Sequence, residues 1–499
     1  MALDEMELTP ELTGATSAPA ACPAHGEPDT HGAIAVPGAP GTCPVDHGAW
    51  APRKTGRPAA RSALDRGTEG HDLAPIARDA DGVWHVRGFE EARAILRGSD
   101  TKQAGFKAEL IERMSAPASP PADALEASKP TNATDVTNAT DATGICGAPD
   151  VAGASKPRRV RLTPRGRNTP ILYQEGKPHQ QQRKQTARFF APVTVSTRYR
   201  VLMERLSDQL VLTLQRRKRA DLSRLTMTLA VRVAGEVVGL TESRMPGMDR
   251  RLDAFFSDEG AATGGRLARL TRALQVPLRM AAFYYLDVRP AIRARRRQPR
   301  EDVISHLLAQ GYGDAEILTE CVTYAAAGMV TTREFIGAAA WHLLERPDLR
   351  ARYLVAPDEE RQALLHEALR LEPVVGHLYR RTTADVTIES AGQPVTIPSG
   401  ALLDIHVDAA NADPRVVDAP MDALVPGRTL RADRTTPALL SFGDGHHRCP
   451  GAYIAIQETD IFLRRLLALD GLRIVRGPAL TWNDLVTGYE LRDFIVAVD

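Results

Sequence analysis

A cysteine that follows two glycines and precedes a helical pattern gives this sequence its sharpest chemical signal: Phe442-Gly443-Asp444-Gly445-His446-His447-Arg448-Cys449-Pro450-Gly451. A thiol in that setting lies at the positive end of a helix dipole, near unpaired backbone N–H groups, and both favour the thiolate. Gly443 and Gly445 permit a tight turn, and Gly451 permits close backbone approach to a bulky group. His447 and Arg448 offer donors or positive charge to an anion. A thiolate so placed suits the axial position of a haem iron. A buried structural cysteine after a glycine-rich turn is the alternative on Cys449 alone.

Other residues pair at helical spacing. His179 and Arg183 lie four apart in Gly176-Lys-Pro-His-Gln-Gln-Gln-Arg183, so they share one face and could clamp a carboxylate, or simply form a polar surface. Glu367 and Arg370 lie three apart, the spacing of a helical ion pair. In the Ala-rich stretch Ala327-Gly328-Met329-Val330-Thr331-Thr332-Arg333-Glu334, Gly328 leaves room for a flat group against a helix. The adjacent threonines can bond back to carbonyls a turn earlier and loosen the helix.

The cysteine loop resembles the haem-ligand loop of the cytochrome P-450 family, Phe-Gly-x-Gly-x-His/Arg-x-Cys-x-Gly, at every defining position. The likeness runs from about Gly82 to the C-terminus, with one insertion, and is to the soluble bacterial type. It implies a mainly α fold with small β-sheets, the P-450 prism. It implies heme b, with Cys449 as metal ligand and Phe442, Gly443, His447, Gly451 and Gly328 bordering the cofactor. His179, Arg183 and Arg380 are then expected to hold the propionates, with Arg381 next to Arg380 as runner-up. Glu367, Arg370 and Arg428 form the expected structural triad, with Leu424 nearby where the family usually has phenylalanine. Thr331 and Thr332 match the family's distal motif, but Val330 stands where an acid usually helps deliver protons during oxygen activation. Either Thr331 works with ordered water, or Glu334 or a substrate group supplies the proton, or the chemistry needs less distal protonation. His377 reads as polar lining of the pocket.

The implied reaction uses O2 as co-substrate to oxidise a small organic secondary metabolite. No reductase module is fused, so ferredoxin and ferredoxin reductase are the expected partners, docking on a basic face near Arg183, Lys184 and Arg188. Two rivals stay open. Val330 motivates an atypical oxidation on the same haem, such as C–C or C–N coupling, nitration or peroxygenase chemistry. A non-catalytic haem sensor or carrier would use Cys22-Pro-Ala-His25 and Cys43-Pro-Val-Asp-His47.

Several elements must position these residues. Periodicity predicts a strand at Gly82–Val86 and a helix over Phe89–Arg97. Further helices are expected over Ser196–Leu240, with Ser196 as N-cap, over Arg250–Arg296, and from Asp314 to about Glu345. Val395 to Leu403 reads as strand, turn, strand. Phe255, Phe256, Phe283 and Tyr284 are either core or substrate contacts. Residues 1–66 read as a disordered arm ahead of a catalytic domain over 67–499. A flexible insertion spans about 115–157, with Asn132 and Asn138 in its repeat, and a basic run follows at 156–167. Lys+Arg 63 against Asp+Glu 62 gives a net charge of +1, which does not point to nucleic acid. The five cysteines show no disulfide framework. No long apolar run appears, so the expectation is a cytoplasmic protein without a membrane span.

Overall fold

In the computed structural model, residues 74–105, 169–256, 275, 277–421, 423–431, 435–483 and 487–499 are described. The predicted arm with its Cys/His pairs, the insertion and the basic run at 156–167 lie outside them.

The described chain opens with β1 (Ile76–Arg78), β2 (Trp84–Val86), α1 (Phe89–Arg97) and β3 (Thr101–Gln103). In α1, Phe89, Ala92, Ile95 and Leu96 are buried, the stripe its sequence period demands. Helix α2 (Gly176–Thr186) is followed by α3 (Arg200–Arg217), β4 (Arg219–Asp221), α4 (Leu222–Val238) and α5 (Met248–Phe256).

The single helix expected over Ser196–Leu240 is therefore two. Lys218 turns left-handed at φ 60°, and Arg219–Asp221 leaves the helix to pair with a C-terminal strand. The Asp221 side chain accepts from Ser223 N at 3.0 Å, capping α4. Ser196 is no N-cap: helical backbone already begins at Pro192, and Ser196 Oγ meets the Tyr453 hydroxyl at 3.2 Å.

A helical stretch at 277–283 leads through a π-turn at Tyr284–Val288 into α6 (Arg289–Arg297), then α7 (Val303–Ala309). Phe256, Phe283 and Tyr284 are buried in the core, with Phe255 packed on it.

The long helix predicted from Asp314 is α8 (Asp314–Ala325), a π-turn over Ala326–Val330, and α9 (Thr331–Glu345). Helices α10 (Pro347–Val355) and α11 (Asp358–Leu371) follow. Next come β5 (His377–Thr382), β6 (Val386–Ser390), β7 (Gln393–Ile397) and β8 (Leu402–His406), then α12 (Ala452–Leu467). The chain closes with β9 (Arg473–Arg476), β10 (Ala479–Asn483), β11 (Gly488–Arg492) and β12 (Ile495–Ala497).

The largest sheet has strand order β1-β2-β8-β5-β3. Two hairpins and the β4-β12-β9 sheet complete the strands. One apolar core joins α3, α4, α8, α9, α11 and α12, and a second lies under the large sheet and α1. The cysteine loop runs between these two cores. Among the described residues, no helix is long and apolar enough to cross a membrane.

Candidate active site around Cys449

The loop that carries Cys449 is shaped by backbone bonds. Gly443 N donates to Leu440 O at 2.8 Å, and Cys449 N donates to Phe442 O at 2.8 Å, closing the turn. Gly445 has φ +63°, and a Cβ there would strike Leu96 O at 2.0 Å, so only glycine lets the loop pass the end of α1. Asp444 caps the following turn through Gly445 N and accepts from Arg97 Nε at 3.0 Å. Gly451 lies 3.9 Å from the cysteine sulfur by its would-be Cβ, an ordinary contact at φ −86°, so the fold itself tolerates a side chain there.

Cys449 is a free, half-buried thiol just before α12. The sequence argument expected its site to favour thiolate. Burial instead raises its pKa, against the lowering pull of the Gly451 and Ala452 N–H groups and of Arg183 and Arg448. The dipole and the N–H groups act as expected, but desolvation outweighs them. A bound metal cation would reverse that balance, since a coordinating thiol deprotonates.

Beside the cysteine loop lies a set of donors. The His179 and His447 rings stack 4.1 Å apart. His179 is buried, and its Nδ1 has no partner. Burial, with the charges of His447 and Arg183 adding to it, pushes its pKa down to about 4, so it is neutral near pH 7. Arg380 is buried on β5, donates to Gln103 Oε1 and to Tyr379 O, and has its pKa pushed down to about 10 by desolvation. Arg381 points the other way, to Gly400 O at 2.9 Å. Arg183 bonds Arg448 O and is half-buried, so it faces the loop and does not belong to the exposed basic face. Lys184 and Arg188 are exposed.

One carboxylate answers this set. Glu175 accepts from His447 Nε2 at 3.0 Å and from Gln103 N at 2.7 Å. Burial pushes its pKa up, but the hydrogen bond and charge of His447, with Gln103 N–H and Arg380, hold it below the ordinary value. Glu175 thus stands where carboxylates of a bound group are wanted. An orphaned buried imidazole nitrogen, a buried guanidinium and a thiol in one cradle fit a metal-centred, doubly anionic group such as haem. No local period singles out Glu175 or Gln103, because their partners lie far away in sequence.

The loop is anchored from behind. Glu367 and Arg370 on α11 pair through two bonds of 2.8 and 2.9 Å, and Arg428 Nε reaches Glu367 Oε1 at 2.9 Å. Val425 N adds a fourth donor at 3.2 Å. Arg370 also donates to Asn411 O, Met421 O and Ala423 O. Leu424 is buried beside this group. Asn411, fully buried, bonds Arg370 O, Ser441 Oγ and Leu440 N. It ties α11 to the cysteine loop, a role that only the three-dimensional arrangement reveals.

The opposite wall is the π-turn. Ala327 is its exposed residue, and Thr331 Oγ1 donates to Ala327 O at 2.6 Å. Thr332 is buried. Gly328 does not supply the predicted flat surface: the space above it is bordered by Ala234 of α4, whose Cβ lies 3.7 Å from a would-be Cβ. Val330 is fully buried in the core. Glu334, expected as a substitute acid, is also committed. It accepts from Arg333 at 2.6 Å, Arg492 at 2.8 Å and Leu491 N at 2.6 Å, a buried network that holds α9 to the β10-β11 hairpin. Three donors on one buried carboxylate make its place structural.

A different acid lies on the same helical run. Glu320 of α8 is buried, and desolvation pushes its pKa up to about 7. Its Oε1 accepts from Gln182 Nε2 at 2.9 Å and Ile171 N at 3.0 Å, while Oε2 has no partner.

Comparison with known proteins gives one family. The family model described as Cytochrome P450 matches residues 361–469, from α11 through the cysteine loop to the end of α12. "Cytochrome P450 130" of Mycobacterium tuberculosis is 29% identical over 314 residues, 60% of this chain and 71% of the relative. The crystal structure of CalO2 superposes with TM-score 0.63 at 22% identity, covering 86% of this chain and 93% of the other. That of HmtN, described as a post-tailoring hydroxylase involved in himastatin biosynthesis, gives 0.58 at 19% identity over 85% and 93%. The expected fold is thus the observed one.

Proposed function

We propose that the chain is a member of the cytochrome P450 family, a monooxygenase that uses O2, binds heme b and hydroxylates a small secondary metabolite. Electrons come from a separate ferredoxin and ferredoxin reductase. The observation that carries this reading is the convergence of Cys449, His179, Arg380 and His447 on one cradle, with Glu175 as the carboxylate inside it. The haem supplies the oxidative chemistry when bound. Cys449 supplies the sulfur ligand. His179 Nδ1 and the Arg380 guanidinium hold propionates, and Glu175 gives way to them. Thr331 Oγ1, whose proton goes to Ala327 O, offers its lone pairs beside the exposed Ala327. Exposed Lys184 and Arg188 offer positive charge to an acidic redox partner. The five cysteines without a disulfide framework support a cytoplasmic setting.

Cys449→Ser tests the reading. The wild-type reduced protein with carbon monoxide is expected to show the red-shifted band of sulfur ligation, and the variant is expected to lose it. A wild-type spectrum like that of an imidazole-ligated globin, or a colourless protein that refuses porphyrin, overturns it.

Val330 favours a second reading, an oxidation that needs less distal protonation. An apolar, fully buried side chain stands at the acid's position, so no proton leaves from there. Turnover with peroxide alone, and no label from O2 in the product, would favour it over hydroxylation.

A further inference from the structure

Away from the cysteine, the large sheet gathers a second set of metal-type donors. His85 on β2 lies opposite Asp404 on β8, and His406 on β8 lies opposite His377 on β5. Alternation puts Asp404 and His406 on one face of β8. His85 Nδ1 and His406 Nε2 are 2.9 Å apart, and each is 3.6 Å from Asp404 Oδ2. A triangle with those sides has a circumradius of about 2.0 Å, the length of a zinc bond to imidazole or carboxylate.

The outer contacts suit a ligand set. With His85 Nε2 donating to Asp79 Oδ2 at 2.9 Å, Nδ1 is left as the unprotonated nitrogen, 2.9 Å from His406 Nε2. Asp404 Oδ1 accepts from His377 Nδ1 at 2.7 Å, which leaves Oδ2 free to coordinate. Metal-bound imidazoles and carboxylates are oriented by partners of this kind. The His85 and His406 side chains are about one-fifth exposed, so an ion has a path in and water can fill a fourth position.

We propose that His85, Asp404 and His406 bind one divalent transition-metal ion of the zinc type, with two nitrogen ligands and one oxygen. The ion pins β2 to β8 and, through His377, fixes the start of β5, the strand that carries Arg380. It is structural and separate from the haem ligand. The competing account is a metal-free hydrogen-bond chain, with a proton between His85 and His406 and Asp404 balanced by His377 and the nearby Arg87.

Full-length haem-loaded protein, stripped with chelator, is titrated with zinc by calorimetry and with cobalt(II) by its visible absorption. The background carries Cys22→Ser and Cys43→Ser, which removes the N-terminal thiols as competitors. One ion per chain is expected, with tetrahedral cobalt bands and a melting temperature raised by several degrees. Asp404→Asn and His406→Ala should each weaken binding at least 100-fold. Asp79→Asn, at an exposed position in the turn before β2, should weaken it about 10-fold. Cys449→Ser should leave it unchanged. Absence of binding, or zinc affinity that is the same in Asp79→Asn and His406→Ala as in the parent, overturns the proposal.

Discussion

The two walls of the candidate active site are built on opposite principles. Behind the cysteine, polar groups are answered several times over. Glu367 has four donors from three residues, and the Asn411 side chain makes three bonds that join two segments. Across from it, Val330 is apolar, Thr331 bonds only back into its own helix, and Glu320 keeps an unpartnered oxygen. The wall that must hold a sulfur in one place is over-determined. The facing wall leaves more polar atoms unanswered, although Glu334 further along it is fixed by three donors.

Removing one member of the saturated side should break the comparison most severely. Glu367→Gln leaves Arg370 and Arg428 buried with a weakened partner. A loss of about 3–5 kcal/mol is expected, with poor haem retention, by urea unfolding and haem titration. Wild-type stability in this variant would mean that the triad is slack.

Glu320 gives the intermediate effect, and its sign is set by burial. Its carboxyl has pKa about 7 in the folded chain against 4.5 when exposed, so folding favours the protonated form. The penalty is absent below about pH 4.5, grows through the interval, and is complete above 7, where it reaches on the order of 3 kcal/mol. Glu320→Gln lacks the penalty. Its melting temperature should pull ahead of wild type between pH 5 and pH 8, and parallel curves would refute the assignment.

The smallest stability change is expected from Thr331→Val. It removes one side-chain bond to Ala327 O and should cost less than about 1 kcal/mol. Haem content should stay normal, while the fraction of electrons that end in product falls. Unchanged coupling would move the proton path away from this hydroxyl.

Local spacing made one part of the site legible. The cysteine loop, His179 with Arg183, and Glu367 with Arg370 are short-range patterns, and the helix over Phe89–Arg97 follows from apolar period. What stayed hidden depends on long-range pairing. The break at Lys218 serves a strand that pairs with residues at the far end of the chain. The π-turn at Ala326–Val330 shifts which residue faces the opening, so Ala327 replaces Gly328. Glu334 looked available because Arg492 and Leu491 N, which consume it together with its neighbour Arg333, arrive only with the β10-β11 hairpin. Glu175 and the histidines at 85, 377 and 406 have no period at all and meet through tertiary pairing.

Strand β5 has a practical consequence for anyone who edits this protein. Its odd positions, His377 and Tyr379, face Asp404 and the histidine group, while Arg380 faces Gln103 and the cradle. Point changes on one side leave the facing of the other unaltered. A single-residue insertion or deletion in the connector before it would exchange the two faces at once, so loop grafting at 372–376 needs length held constant even where composition is free.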